Sequence, residues 1–491
     1  MNKEIELKEG QRRVLNDLKN FLKSSDRVFM LKGYAGTGKT TLMKFLIEHL
    51  QEEGKLYNLL APTGRAAKIL TNYTENKAQT IHGMIYTYKS FNKDTSDIGM
   101  LDNGQLYLVF APSQRRNDNN EKGVIYIIDE SSMVGDLPVK NPIQAKFGSG
   151  RLLKELFDFD QHKDSKFIFV GDPAQLPPIQ GTISPALEKN YIEGTFNYRV
   201  QEGKLTEIVR QENTIVQAAN SIRKQWQEAP MNKSFYGKYT VVWGAFEIRK
   251  YPDIVIMNNF EEMIDNYSKD IKKFGYNHSI FICRSNKRCT EISHYIRENI
   301  LGFQGIIKKG DLLMVTQNQF PTGLMNGDMV EVMEIGEREI LTPRMSNARP
   351  TPLNFREVKV KELFTKRECT TILFEDCITC GQGNLNEQQQ KSLFIDFIAR
   401  MAQKGITEKK KPKEFENALR NDSYLNALRC SYGYAVTCHK AQGGEWNNVY
   451  IDLIGARNIT RNPIKEAYQW MYTAVTRAKD KVFLQNDFFI K

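Results

Sequence analysis

Gly33-Tyr34-Ala35-Gly36-Thr37-Gly38-Lys39-Thr40-Thr41 follows the apolar run Val28-Phe29-Met30-Leu31 and precedes Leu42-Met43-Lys44-Phe45-Leu46-Ile47, whose apolar residues recur at helical spacing. A buried strand, a glycine-rich turn and a helix in that order predict a phosphate-binding loop. The glycines let the backbone turn tightly, so that several N–H groups face one point. The helix that starts there adds the positive end of its dipole. Gly33, Ala35, Gly36, Thr37, Gly38, Lys39, Thr40 and Thr41 are therefore the expected cradle for a nucleoside triphosphate. Lys39 brings a mobile positive charge to the outer phosphates, and the Thr40 hydroxyl offers a ligand to Mg²⁺.

The rest of the chain must explain what the triphosphate drives. Its 491 residues exceed one ordinary core and predict two to four domains. No apolar run is long enough to span a bilayer, and Met1-Asn2-Lys3-Glu4-Ile5-Glu6 lacks the apolar core of a signal peptide, so the cytoplasm is the expected location. A formal net charge of +11 suits a polyanionic partner, because Lys and Arg release counterions condensed on phosphates. The seven cysteines are scattered. Cys377 and Cys380 form an isolated CxxC with no second pair, which predicts reduced thiols rather than a metal site.

Upstream, Leu7 to Leu22 reads as an amphipathic helix carrying Gln11, whose amide presents a donor and an acceptor that match the edge of adenine. Downstream, Leu59-Leu60-Ala61-Pro62-Thr63-Gly64-Arg65 reads as a strand running into a helix start. Free N–H groups and the Thr63 hydroxyl at such a start suit a nucleic-acid phosphate. Gln79-Thr80-Ile81-His82-Gly83 repeats that polar theme. The β-branched run Val124-Ile125-Tyr126-Ile127-Ile128 predicts a buried strand that delivers Asp129 and Glu130 to its carboxyl end, where open parallel sheets bind ligands. Asp129 is placed to hold Mg²⁺, and Glu130 to position and deprotonate the attacking water. A further strand, Lys166-Phe167-Ile168-Phe169-Val170, ends in Gly171-Asp172-Pro173-Ala174-Gln175, and Gln175 is a neutral group able to sense a γ-phosphate.

These stretches stand in the order of the helicase motifs of superfamily one, and the chain resembles its B branch, the RecD-like and Pif1-like helicases, including their Dda-like members. Leu205-Thr206-Glu207-Ile208-Val209-Arg210-Gln211 is similar to motif IV, Tyr434 to Gly443 to motif V, and Tyr472-Thr473-Ala474-Val475-Thr476-Arg477-Ala478 to motif VI. The resemblance implies an α/β fold of two RecA-like motor domains with ATP and Mg²⁺ in the cleft between them. Lys39, Thr40, Asp129 and Glu130 would form the hydrolytic site. Gln175 would couple nucleotide state to strand grip. Arg210 and Arg477 would reach over from the second motor as arginine fingers, stabilising transition-state charge only on closure. Thr63, Gly64, Arg65, Thr80 and His82 on the first motor, with Thr437 and His439 on the second, would hold single-stranded DNA, while Gly444 and Glu445 approach the nucleotide.

The expected division is as follows. Residues 1–84 and 122–200 form the first motor, interrupted by a β-hairpin pin at 85–121 with Asp102-Asn103-Gly104 at its turn. Residues 201–304 and 430–491 form the second motor, interrupted at 305–429 by an SH3-like barrel with a helical extension against which the pin could dock. Tyr107 and Phe110 are the candidate wedge residues of the pin. The implied activity is 5′ to 3′ translocation on single-stranded DNA and unwinding of forked duplex, in replication, recombination or repair. A monomer, possible contact with a single-strand-binding protein or replisome component, and no membrane are expected. An RNA-directed helicase and an ATP-switched single-strand-binding accessory protein are the alternatives.

Overall fold

The computed structural model describes residues 6–96, 101, 104–115, 122–138, 144–179, 181–207, 214–228, 232–236, 239–243, 245–343, 351–381, 383–454 and 464–491. Two all-parallel sheets dominate it. The first has six strands in the order Ala78–Thr80, Leu56–Ala61, Val124–Ile128, Lys166–Gly171, Val28–Gly33 and Val200–Leu205. Its central strands are largely apolar, Lys32 and Lys166 apart, and almost wholly buried, as parallel strands must be when helices cover both faces. The second has five strands in the order Ile254–Met257, Ala478–Gln485, Trp446–Ile451, Ser279–Cys283 and Ala435–Thr437. Among the described residues no helix is long and apolar enough to cross a membrane.

Three boundaries differ from the sequence division. Val200–Leu205 pairs with Val28–Gly33, so residues 201–205 complete the first sheet rather than opening the second motor. Cys430–Tyr432 pairs with Leu312–Val315 in the inserted sheet, which therefore runs past residue 429. The sheet expected to be the pin, finally, has three strands. Tyr86–Phe91 and Leu108–Pro112 form the expected antiparallel hairpin, and Ala145–Phe147 joins it in parallel from beyond residue 121. Stacking explains the third strand: Phe110 lies 4.8 Å from Phe147, ring to ring, which places this candidate wedge in a packed cluster.

The insertion in the second motor is a five-stranded antiparallel sheet, ordered Glu368–Phe374, Leu353–Glu362, Met329–Leu341, Leu312–Val315, Cys430–Tyr432. A bridge between Leu373 and Leu428 brings its far edge back towards the segment entering its last strand. Helices Glu387–Gln403 and Pro412–Asn421 pack beside it, and the pin docks on them. Phe91 meets the rings of Phe394 at 5.1 Å and Phe415 at 6.4 Å. Glu408 accepts hydrogen bonds from the Tyr88 and Thr95 hydroxyls and the Phe91 N–H, and Lys409 pairs with Asp94. The basic loop Lys409–Lys413 thus supplies part of an internal clamp.

Candidate active site at the seam of the two sheets

The loop between strand Val28–Gly33 and helix Lys39–Glu52 turns on Gly36 and Gly38, both left-handed with φ 77° and 76°. Only glycine takes these angles without penalty. Gly33 is constrained from the other side, since a Cβ there would meet Lys39 Cγ and Thr37 Oγ1 at 2.8 Å. Lys39 Nζ donates to Gly33 O at 2.7 Å and Tyr34 O at 3.2 Å, so its ammonium is held at the mouth of the loop. Gln11 is buried and braces the loop from behind. Its Nε2 donates to Thr37 O and Gly38 O, both at 3.3 Å, and its Oε1 accepts from Lys8 N–H at 2.9 Å. Both ends of the amide expected to read adenine are therefore engaged with protein backbone, and reading a base would require these bonds to exchange.

Asp129 ends strand Val124–Ile128, and its N–H is tied to Leu60 O at 2.9 Å. Burial, together with the neighbouring Glu130 carboxylate, pushes its carboxyl up to about 7, with Lys39 pulling it back. Glu130 sits in the left-handed region at φ 50°, a conformation costing a non-glycine residue about 1–2 kcal/mol. Such a conformation persists only where the surrounding structure over-determines it. Asp129 and the Thr40 hydroxyl are oxygen donors that would suit Mg²⁺, and the Asp129 carboxyl is one that the surrounding protein leaves poorly compensated.

The loop Asp172–Leu176 is where the two sheets meet. Asp172 is buried, and its carboxyl is pushed up by burial and drawn down by Lys39. From helix Ile464–Val475 of the second motor, the Tyr472 hydroxyl donates to Asp172 Oδ2 at 2.7 Å and accepts from Ala35 N–H at 2.9 Å. Gln469 Nε2 donates to Gln175 O at 3.1 Å, Thr473 Oγ1 accepts from Leu176 N–H at 3.0 Å, and Gln442 Nε2 donates to Leu176 O at 3.4 Å. Gln175 is buried, and its Oε1 finds no hydrogen-bond partner among the described residues. Arg477 is buried in the same seam. It donates to Thr473 O at 3.1 Å and Gly444 O at 3.2 Å, and its charge acts on Asp172, the carboxyl that Lys39 also draws down. Arg210 lies outside the described residues.

The residues expected on the strand face divide into two groups. Thr63 caps helix Gly64–Thr74 by accepting from Ala66 N–H at 3.2 Å, and Thr80 caps Ile81–Ile85 by accepting from Gly83 N–H at 3.0 Å. Cys283 and Thr437 lie opposite one another in the second sheet as Ala61 and Thr80 do in the first. Thr437 stands just before helix Cys438–Ala441, with His439 two residues on, as His82 follows Thr80. By the same correspondence Ser285, which caps Asn286–Tyr295, matches Thr63. Ser285 was missed in the sequence; the signal was a strand running into Arg284-Ser285-Asn286. Gly64 and Arg65, by contrast, are built into the seam. A Cβ on Gly64 would meet Met325 at 2.7 Å. Arg65 donates to Gly327 O at 3.0 Å, lies 4.9 Å from the Trp446 ring and is pulled down to about 10 by burial. His82 packs with Tyr86 and Phe147. Gly444 is wedged between Trp446 and Arg65, whereas Glu445 pairs with Lys479 at 3.6 Å.

Residues 6–234 match the AAA domain family, and residues 432–485 match the UvrD-like helicase C-terminal domain. The first match holds the phosphate loop and Asp129; the second holds Gly444, Tyr472 and Arg477. The ATP-dependent DNA helicase dda of Enterobacteria phage T4 is 23% identical over 491 residues, covering 97% of this chain and 99% of that one. The RecBCD enzyme subunit RecD of Buchnera aphidicola is also 23% identical, covering 95% of this chain and 72% of its own. These likenesses support a RecD-like helicase of superfamily 1B. A structure of the Pif1 helicase from Bacteroides in complex with ADP-AlF3 and ssDNA aligns with 99% of this helicase and 93% of that chain at 16% identity, with a TM-score of 0.45. Gln469 lies outside every quoted motif, and Tyr472, Thr473 and Gln442 were quoted within motifs VI and V without a role of their own, because each acts through a partner hundreds of positions away.

Proposed function

We propose that this chain is an ATP-driven motor that moves 5′ to 3′ along single-stranded DNA and unwinds the duplex ahead of it. One observation carries the reading: the Tyr472 hydroxyl of the second motor bonds both the phosphate loop, at Ala35, and Asp172. A change at the phosphates therefore cannot leave the relation of the two sheets unchanged. Lys39 would bind the outer phosphates, with Asp129 and Thr40 holding Mg²⁺, which stabilises charge on the transferring phosphoryl group. Glu130 would take the proton of the attacking water. Arg477, and Arg210 with it, would complete the site from the second motor.

Paired helix starts on the two sheets supply the strand contacts. Thr63 and Thr80 on the first and Ser285 and Thr437 on the second present hydroxyls or free N–H groups, which hold phosphates without reading bases. As the cleft closes and opens, one pair grips while the other slides. The three-stranded pin, clamped to the helical extension, meets the duplex. The polarity and the preference for DNA are those the resemblance implies, and a single chain carries both halves of the site, so a monomer suffices. Forked duplexes with only a 5′ or only a 3′ tail test the proposal directly. Unwinding of the 5′-tailed fork alone is expected, with hydrolysis stimulated by single-stranded DNA more than by RNA of equal length. Unwinding of the 3′-tailed fork would overturn the polarity, and a single turnover per chain would reduce the motor to a switch.

A further inference from the structure

Helix Thr214–Glu228 of the second motor reaches the phosphate loop at a place no expected site residue explains. The Arg223 guanidinium lies over the Tyr34 ring at 3.9 Å, and Gln227, one turn further along the same face, approaches the Tyr34 hydroxyl at 3.4 Å. A cation held by a ring face is attracted without being neutralised. Arg223 Nε is buried with no hydrogen-bond partner, and Arg223 forms no salt bridge among the described residues. An unmatched N–H on a charged group is a standing penalty that an anion would remove. The surroundings show which anion. Tyr34 precedes Ala35, whose N–H is bonded by Tyr472, and the charge of Arg223 reaches that Tyr472 hydroxyl. Tyr472 in turn bonds Asp172, the carboxyl on which Lys39 acts. Arg223 therefore stands at the end of the loop that faces Lys39, where the outermost phosphate would lie.

We propose that Arg223 binds the terminal phosphate of the nucleotide when the motors close, and that stacking on Tyr34 parks it beside the loop beforehand. The proposal rests on the reading of the loop as the ATP site. It differs from the finger roles of Arg210 and Arg477 because it predicts discrimination between tri- and diphosphate in the bound ground state. Guanidinium suits this task, since its planar fork matches phosphate oxygens and stays charged when partly buried.

The test is equilibrium binding of MgADP and of a non-hydrolysable ATP analogue, Mg-AMP-PNP, to the full chain carrying an oligo-dT strand. Arg223→Ala is expected to weaken AMP-PNP about tenfold or more while leaving ADP within about twofold, and Arg223→Lys to recover part of the loss. Gln227→Ala, which loosens the hold on Tyr34 without removing charge, is expected to move neither affinity by more than about twofold. Equal weakening of both nucleotides, or of neither, in an Arg223→Ala protein that still binds oligo-dT would overturn the proposal and leave the ATP site standing. Failure of the parent chain to bind either nucleotide would remove both.

Discussion

The Ala35 N–H donates to the Tyr472 hydroxyl at 2.9 Å, joining the phosphate loop to a helix 437 residues away in the chain. That hydroxyl passes its own proton towards Asp172 at 2.7 Å. Tyr472→Phe keeps the buried ring and removes both bonds. A part-buried N–H and a buried carboxylate each lose a partner, at about 1–3 kcal/mol apiece before relaxation and at the lower end for the N–H. The expected result is a folded protein with a lower thermal midpoint and strand-stimulated turnover reduced about tenfold or more, with single-strand affinity nearly unchanged. Steady-state hydrolysis and oligo-dT binding on one preparation check it. Undiminished turnover would show that the bond is incidental to coupling.

Lys39→Ala probes the other side of the same loop. Lys39 is bonded to the carbonyls of Gly33 and Tyr34 and contributes nothing to the buried core, so the variant should fold with a midpoint close to that of the parent. Hydrolysis on single strands should fall to background, because no other lysine of the loop replaces the charge at the outer phosphates. A turnover number within about twofold of the parent would refute the assignment of the site.

The contrast between these residues shows what the sequence could and could not reveal. The places of Lys39, Thr40, Asp129 and Glu130 in the fold were legible because strand, turn and helix follow one another locally. Gln11 was expected at the adenine edge, and its bonds to Thr37 and Gly38 instead depend on how the first helix lies across the sheet. Gly64 and Arg65 carry the same local signal as Thr63, yet Met325, Gly327 and Trp446 from the other half of the molecule pack onto them. The third strand of the pin, Ala145–Phe147, is too short to announce itself and exists because Phe147 stacks on Phe110. Contacts at long sequence separation leave no periodicity to read.

His82 offers a pH test that separates packing from strand binding. Burial among Tyr86 and Phe147 lowers its pKa below the usual value near 6.5. The unfolded chain therefore binds a proton more readily than the folded one, so its contribution to stability is intact above about pH 6.5 and is lost as pH falls towards the folded value. His82→Phe removes this dependence while preserving an aromatic ring. The drop in thermal midpoint between about pH 7.5 and about pH 5.5 should be smaller in the variant than in the parent. His439, also lowered by burial, and the raised carboxyls of Asp129 and Asp172 are common to both proteins and cancel in the comparison. An equal drop in both would place His82 outside the titrating set.

The clamp between pin and helical extension predicts a separation of hydrolysis from unwinding. Glu408 is the single acceptor for the Tyr88 and Thr95 hydroxyls and the Phe91 N–H, while the Phe91 ring fills a pocket between Phe394 and Phe415. The nucleotide seam lies elsewhere, at Ala35, Asp172 and Tyr472. Phe91→Ala should remove about 3–5 kcal/mol of packing from the clamp, and Glu408→Ala should strip three donors of their partner. Neither change touches the phosphate loop, so hydrolysis on single-stranded DNA should persist within about threefold of the parent. On the proposal that the pin meets the duplex, releasing it from the second motor should lower strand separation per ATP by about tenfold or more, and the double variant should show less than the sum of the two losses. Stopped-flow unwinding of a 5′-tailed fork alongside steady-state hydrolysis measures both quantities. Parallel loss of the two would mean that the clamp supports the motor as a whole rather than the pin.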